Sequence, residues 1–598
     1  MFEYDAYKYN ADCTLLSGTR WARDEEIMQV TRRIRLSDPD CPVKSGLPVI
    51  SDGDTVYVDD SDVHSLIIGS TGSKKSRLFA MPMLEIIRRS GESVLVTDPK
   101  GELYDKTAQA FEDSGYHVHV INLREPARSD GWNPLMLARK YFLDGDAERG
   151  TAVVNDFAAT MLAGENGNND KFWENTSTTM LQGLTMTMVE APRFFPDETV
   201  NLATLRHLAE NFRQERQGSR YYDDDKGPGV LDLIDLYPED SIARINVTAV
   251  SGGSEKTFDN VKISYTAPMQ KLYMQKSLIS MLARDDVDFS TLGTRKTVIF
   301  LIMPDEKTTL HKIVSMIIKI CYEKLIEVAQ KCDGNTLPIR VNFLLDEFSN
   351  LPAIPDMPAM ISAARSRNIK FHLIIQGLYQ LSSKYGADDA QTIKGNCGNW
   401  AFLTSRELPL LQEISDLCGQ DMTTGEKLIS VSQLQRLNKE RGEVLILLGR
   451  QSPYLAHLAD ISQYTLPSCP VRPYPITPGD AVPIRHIEDI LDEVKQKKAE
   501  ETKDEEEDTT DDEHDLGPAM FPWEKSGEDA AEEEEDPIDL EELDRQAREL
   551  AASATFDDLP EELKRAFREL FDLEQNEEDT TPQDPPQNNP DETDETEE

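Results

Sequence analysis

The sequence predicts an α/β domain on a mainly parallel sheet, interrupted by an all-α segment and followed by an acidic, mostly disordered tail. Three observations carry this. Apolar runs of strand length alternate with helical periodicity from residue 65 to about 133 and again from 297 to 448. Strand-like runs stop between about 141 and 284, where apolar residues recur at helical spacing. Residues 501–598 hold 40 acidic against 7 basic residues, a net of −33 out of −47, which leaves a mildly acidic body at −14.

The elements follow in order. Residues 1–60 are mixed, with Gly/Asp turns and short β-like runs such as Thr55–Val58. Leu66, Ile67 and Ile68 form a buried strand, a turn follows, and a helix runs from about Lys75 to Arg89. Ser93–Thr97 is a second buried strand, ending in Asp98-Pro99-Lys100-Gly101, and His117–Ile121 is a third. Asp156–Leu162, Phe172–Val189 and Leu202–Phe212 have helical periodicity, with the polar, Gly-rich Tyr221–Gly229 between helices. The sheet resumes with Thr297–Met303, a helix from about Thr309 to Gln330, and strands Val341–Leu345, Phe371–Ile375, Trp400–Thr404 and Glu443–Leu448. The chain thus divides into an N-terminal β-containing segment (1–60), an α/β part (61–140), an all-α insertion (141–288), a second α/β part (289–466) and a tail (467–598). Within the tail, 497–535 and 574–598 carry too little apolar content to offset chain entropy, and short amphipathic helices at about 538–573 suit docking.

The composition excludes several classes. The seven cysteines are scattered, with no C-x-x-C pair, and read as buried thiols in a reducing compartment. The N-terminus has no apolar signal region, and no run of about eighteen apolar residues occurs, which predicts a cytoplasmic protein, peripheral at most through a partner. Global charge gives no support for nucleic-acid binding, although a local basic surface suffices for it.

His64–Arg77, HSLIIGSTGSKKSR, is the stretch richest in chemistry. A strand, a glycine-bearing turn and a helix start in that order suit a triphosphate such as ATP: the backbone of Gly69, Ser70, Thr71, Gly72, Ser73, Lys74, Lys75, Ser76 and Arg77 would cradle phosphates. Lys75 would reach the β/γ oxygens and Ser76 would hold Mg²⁺. In the pattern G-x-x-x-x-G-K-[ST] the second glycine is here Lys74. Glycine permits positive φ and close approach to phosphate; a non-glycine residue held there costs about 1–2 kcal/mol. A second cation beside a triphosphate is nonetheless favourable, so both a weakened motor and an inactive one stay open.

Asp346 and Glu347 end the strand Val341–Leu345, where a carboxylate can enter the Mg²⁺ shell and its neighbour can polarise the attacking water. Gln376 ends Phe371–Ile375 and can sense the γ-phosphate. Arg365 precedes that strand and could reach a neighbouring subunit's nucleotide; alone, Arg365, Arg367 and Lys370 read as a solvated basic loop. Asp98 and Lys100 lie at the carboxyl edge, where open α/β sheets bind ligands.

Taken together, these motifs resemble the type IV secretion coupling proteins, the TraG/TraD-like conjugative DNA-transfer ATPases related to the FtsK/HerA motors. The likeness runs in order from Gly18-Thr19-Arg20-Trp21-Ala22 through His64–Arg77, Asp98–Glu102, Trp132-Asn133-Pro134-Leu135 and Phe172-Trp173 to Leu344–Phe348, Arg365-Ser366-Arg367, Gln376 and Asn396-Cys397. It implies a RecA-like P-loop domain, a homohexameric ring with an all-α insertion, and ATP-driven delivery of a relaxase–single-stranded DNA complex, or of proteins, to a secretion channel. Most such proteins begin with transmembrane helices. None is expected here, which implies a small membrane-anchoring partner or a soluble motor. Two other readings stand beside the motor: a non-hydrolysing receptor for secreted substrates, and a soluble P-loop ATPase of DNA processing.

Overall fold

The computed structural model describes residues 19–507 apart from 163–170, 213–227, 253, 305–309, 422, 467–468 and 480. The amphipathic stretch expected at 538–573 and most of Tyr221–Gly229 lie outside the described residues. Among those described, no helix is long and apolar enough to cross a membrane.

Strands β1 (Arg32–Arg35), β2 (Leu47–Ser51) and β3 (Thr55–Asp59) make a small antiparallel sheet in the order β1-β3-β2. The main sheet has nine strands: β4 (Ser65–Gly69), β5 (Ser93–Asp98), β6 (His117–Asn122), β7 (Thr297–Ile302), β8 (Val341–Leu345), β9 (Ile369–Ile375), β10 (Asn399–Thr404), β11 (Glu443–Leu448) and β12 (Tyr454–His457). Their order is β12-β11-β10-β4-β9-β8-β5-β7-β6. From β10 to β6 all neighbours are parallel, and the β11–β12 hairpin adds an antiparallel edge.

Burial explains why the central strands were readable. Every residue of β4, β5, β7, β8 and β9 is buried, because helices cover both faces of a parallel sheet and leave no polar side. Alternate residues enter different cores. Ile67, Val94 and Val96 pack with Phe79 of the turn Ser76–Ala80 and with Leu84 and Phe111 of the helices Met81–Ser90 and Glu102–Asp113. Leu66, Ile68 and Phe343 enter a second core shared with the helix His311–Gln330, which runs on without a break into the helices between Met136 and Met281. Those helices include Ala147–Leu162, Lys171–Val189, Leu202–Glu210, Ile242–Ser251 and Glu255–Tyr273.

One segment departs from the sequence reading. Parts of residues 469–490, grouped there with the tail, are packed on the body. Tyr474 stacks on Tyr104 with ring centroids 4.4 Å apart, Thr477 donates to the Pro126 and Ser129 carbonyls, and the helix Ile487–Glu507 begins with Ile487 and Ile490 buried. The anchors are single aromatic and hydroxyl side chains in proline-rich sequence, so no periodicity announces them.

Candidate functional site

The loop after β4 is built from local rules. Gly69 closes the strand so tightly that a Cβ there would lie 2.4 Å from Ser73 Oγ, and Gly72 turns the chain at φ 75°. Lys74 follows at φ 69°, in the left-handed region that the substituted glycine would occupy freely. The helix behind the loop starts with a π-turn, Ser76–Ala80, before its α-helical run.

Lys75 is 7 % exposed and donates to the Gly69 carbonyl at 2.6 Å, with Glu347 Oε1 3.8 Å away. Burial pulls its ammonium below the ordinary lysine range, while Glu347 and Asp346 oppose that shift. Ser76 Oγ donates to Asp346 Oδ2 at 3.0 Å. Asp346 is buried, and desolvation with the adjacent Glu347 charge pushes its carboxyl up to about 6. Thr97 holds the turn by donating to the Asp346 carbonyl at 2.8 Å.

Glu347 sits at φ 53°, a strained conformation for a residue with a side chain. Gln376 Nε2 donates to Glu347 Oε2 at 2.7 Å, and Gln376 Oε1 accepts from Thr71 Oγ1 at 3.2 Å. One carboxamide therefore ties the loop after β4 to the Glu347 carboxylate. The reason is topological: β9 lies between β4 and β8, so its end is flanked by both.

The remaining candidates divide. Asp98 ends β5, accepts from the Tyr104 backbone N–H at 2.8 Å, and is pushed up to about 6 mainly by burial. Lys100 is exposed on the same edge, near enough for its charge to depress Lys75 further. Arg77 turns away from the loop and pairs with Asp460. Arg365 is exposed in a short 3₁₀ turn before β9, at the amino edge, so within one chain it does not join the cluster. Lys370 is not part of a solvated loop. It is 1 % exposed, donates to the Ser61 carbonyl at 2.7 Å, and burial lowers its ammonium to about 8.

Sequence reasoning missed the outer brace of the loop. Lys74 Nζ lies 2.5 Å from Glu440 Oε2 and 3.9 Å from Asp460 Oδ2, and Lys439 Nζ donates to the Gly72 carbonyl at 2.9 Å. Lys74 thus points its charge at carboxylates from the far end of the fold. Those partners stand more than 360 residues away, and no local pattern marks them. Asn350, which donates to Glu347 Oε2 at 3.3 Å, was also missed; its one signal is a polar residue three positions on in the same turn.

The sequence profile of the family described as "Type IV secretory system Conjugative DNA transfer" matches residues 20–442, and the chain belongs to that family. Among curated relatives, the protein VirD4 of Rhizobium rhizogenes is 22 % identical over 367 residues, 60 % of this chain and 49 % of that protein. The conjugal transfer protein TraG of Escherichia coli is 24 % identical over 414 residues, 63 % of this chain and 58 % of its own length. The chain spans about half the length of the curated relatives it matches. The plasmid coupling protein TrwB has the same fold. Its complex with a non-hydrolysable ATP analogue superposes with TM-score 0.52 at 14 % identity, covering 81 % of this chain and 99 % of that one. Its complex with ADP and Mg²⁺ gives 0.52 at 14 %, covering 79 % and 98 %.

Proposed function

We propose that the chain is the coupling ATPase of a conjugative or type IV secretion system, drawing relaxase-bound single-stranded DNA, or protein substrates, to the secretion channel. The observation that carries this reading is the meeting of Lys75, Ser76, Asp346, Glu347 and Gln376, from the ends of three parallel strands, at one sheet edge.

Each residue then has a task. Lys75 leaves the Gly69 carbonyl for the β/γ oxygens of ATP, and the backbone N–H groups of the Gly69–Arg77 loop, at a helix start, hold the phosphates. Asp98 and Lys100 complete the edge beside them. The Ser76 hydroxyl and Asp346 carboxylate are hard oxygen donors 3.0 Å apart, a pairing that fits Mg²⁺, which when bound neutralises phosphate charge. Glu347 accepts a proton from the attacking water, and Gln376 links its position to the phosphate loop. Arg365, at the opposite edge, acts on the nucleotide of the next subunit in a homohexamer. Other secretion components and a small membrane-anchoring partner place the ring at the cytoplasmic face of the membrane.

The positive φ of Lys74 supports a second reading, a receptor that binds nucleotide and substrates without hydrolysis. ATP turnover of the purified chain, with and without single-stranded DNA and beside Lys74→Gly and Lys75→Ala, separates the two. The motor predicts turnover that DNA stimulates and Lys75→Ala removes. Absence of turnover in both parent and Lys74→Gly, with ATP still bound, would leave the receptor.

A further inference from the structure

His207, His486 and Glu488 come together from two separated parts of the chain. His207 sits in the last turn of the helix Leu202–Glu210, and the other two stand at the start of the helix Ile487–Glu507. The imidazole rings meet edge to face with centroids 4.5 Å apart, and His207 Nε2 lies 3.9 Å from Glu488 Oε2. One ligand atom from each residue lies within 4.8 Å of the others, and no other group of three such side chains does so among the described residues. We propose that these three side chains bind a transition-metal cation of the Zn²⁺ type, clipping the C-terminal segment to the helical insertion.

The chemistry fits. Two imidazoles, a carboxylate and a water are a ligand set that Zn²⁺ takes in tetrahedral form with bonds of about 2.0–2.2 Å. Ligand atoms around such an ion stand about 3.3 Å apart; rotation of exposed His486 and half-buried Glu488 closes the gap from 4.8 Å. His207 also lines a cavity of about 730 Å³, so one side of the cluster is open to water.

The frame is held before any metal binds. Asn201 donates to the Pro483 carbonyl at 2.8 Å, the Arg485 backbone N–H donates to Thr204 Oγ1 at 3.2 Å, and Arg485 Nε donates to the Phe194 carbonyl at 2.9 Å. His486 and Glu488 therefore meet His207 on a fixed backbone, which lowers the ordering cost of a third contact. The charges around the site favour a cation. Glu488 and Asp489 add negative potential at His207, while Arg206 is paired with Glu210 at 2.7 Å and Arg485 with Glu493 at 2.9 Å. The Asn211 carboxamide lies 3.2 Å from His207 Nδ1. Turned with its oxygen to the ring, it accepts a hydrogen bond from Nδ1–H, at the expense of its 2.9 Å bond to the His207 carbonyl, and the metal then takes the place of the 3.5 Å hydrogen bond that Nε2 accepts from the Ile487 backbone N–H.

The test uses the full chain, stripped with chelator and titrated with Zn²⁺, and with Co²⁺ for its absorption spectrum, in excess Mg²⁺ so that the phosphate loop does not compete. The expected result is one equivalent bound with a tetrahedral Co²⁺ spectrum, weakened at least tenfold by His486→Ala and by Glu488→Gln and lost in the His207→Ala/His486→Ala double variant. Exposed His486 can be replaced without touching the core, so a folding defect does not obscure the result. Equal binding by the parent and the double variant would assign the metal to thiols and overturn the proposal, as would absence of binding by the parent.

Discussion

At the amino edge of the main sheet, buried Glu92 accepts from the Ser45 backbone at 3.1 Å and from Asn342 Nδ2 at 3.0 Å, while Lys370 ends on the Ser61 carbonyl. His64 is bonded at both ring nitrogens, accepting from the Phe371 N–H at 3.0 Å and meeting the Ile361 carbonyl at 2.9 Å. At the carboxyl edge of the same strands, Asp346 and Glu347 crowd the buried ammonium of Lys75, Asp98 is buried beside them with Lys100 exposed, and two of the three carboxyls are pushed up to about 6. Both edges bury charge, but the first ends it on fixed partners and the second concentrates carboxylates whose mutual repulsion an incoming cation relieves. The comparison teaches that burial alone does not mark a site. An excess of one sign does.

The largest effects should separate the edges by activity. Lys75→Ala should cost on the order of 10²–10³-fold in ATP turnover, the loss typical of removing one preorganised donor. Glu347→Gln should slow turnover by about 10²–10⁴ while leaving nucleotide affinity within a few-fold, since it removes the base and spares Asp346. Asp346→Ala should lose Mg²⁺-dependent binding, measured by fluorescent-nucleotide titration; equal losses of binding in both carboxylate variants would cancel that division of labour.

Arg365 tests whether an amino-edge residue serves a carboxyl edge elsewhere. Arg365→Ala should fall by about 10²-fold or more in a working ring. Mixing it with Lys75→Ala should restore part of the turnover, because some interfaces then regain both halves. Activity that stays at the sum of the two separate variants would return Arg365 to the surface.

Stability against pH should distinguish the edges by sign. His64 titrates at about 4 in the fold against 6.5 free, so the unfolded chain takes up its proton first as pH falls. Its contribution is whole above pH 6.5 and is lost on the way to pH 4, at most about 3 kcal/mol. Asp346 works in reverse, titrating at about 6 against 3.8, so the fold is favoured below pH 3.8 and loses about 3 kcal/mol as pH rises to 6. In denaturant melts at pH 4.5 and 7, His64→Gln should lower stability at pH 7 relative to that at pH 4.5, and Asp346→Asn should raise it. Unchanged slopes in both variants would mean that other groups govern the acid limb.

The smallest effect belongs to Lys74. Lys74→Gly releases about 1–2 kcal/mol of left-handed strain. It also gives up the Glu440 and Asp460 contacts and adds backbone freedom, so melting should shift by less than about 1 kcal/mol in equivalent stability. Turnover should rise if the lysine hampers the loop; a fall would show that the outer brace matters more than the strain.

The amino-acid sequence determined the α/β class, the order of strands and helices, and the strand–glycine turn–helix start at His64–Arg77, since fully apolar runs, turn residues and helical periodicity are local properties. Val341–Leu345 and Glu443–Leu448 could be placed to the residue for that reason. What only the tertiary structure decided is adjacency. Nothing within the chain's local pattern says that β9 inserts between β4 and β8, so the bridge from Thr71 through Gln376 to Glu347 could not be read from spacing. The same holds for Lys74, whose partners Glu440 and Asp460 are set by the β11–β12 hairpin, and for Lys370, a charged residue in an apparent surface loop that the fold buries against Ser61. Side-chain partners across a sheet depend on strand order and on what covers each edge, and those are properties of the packed chain.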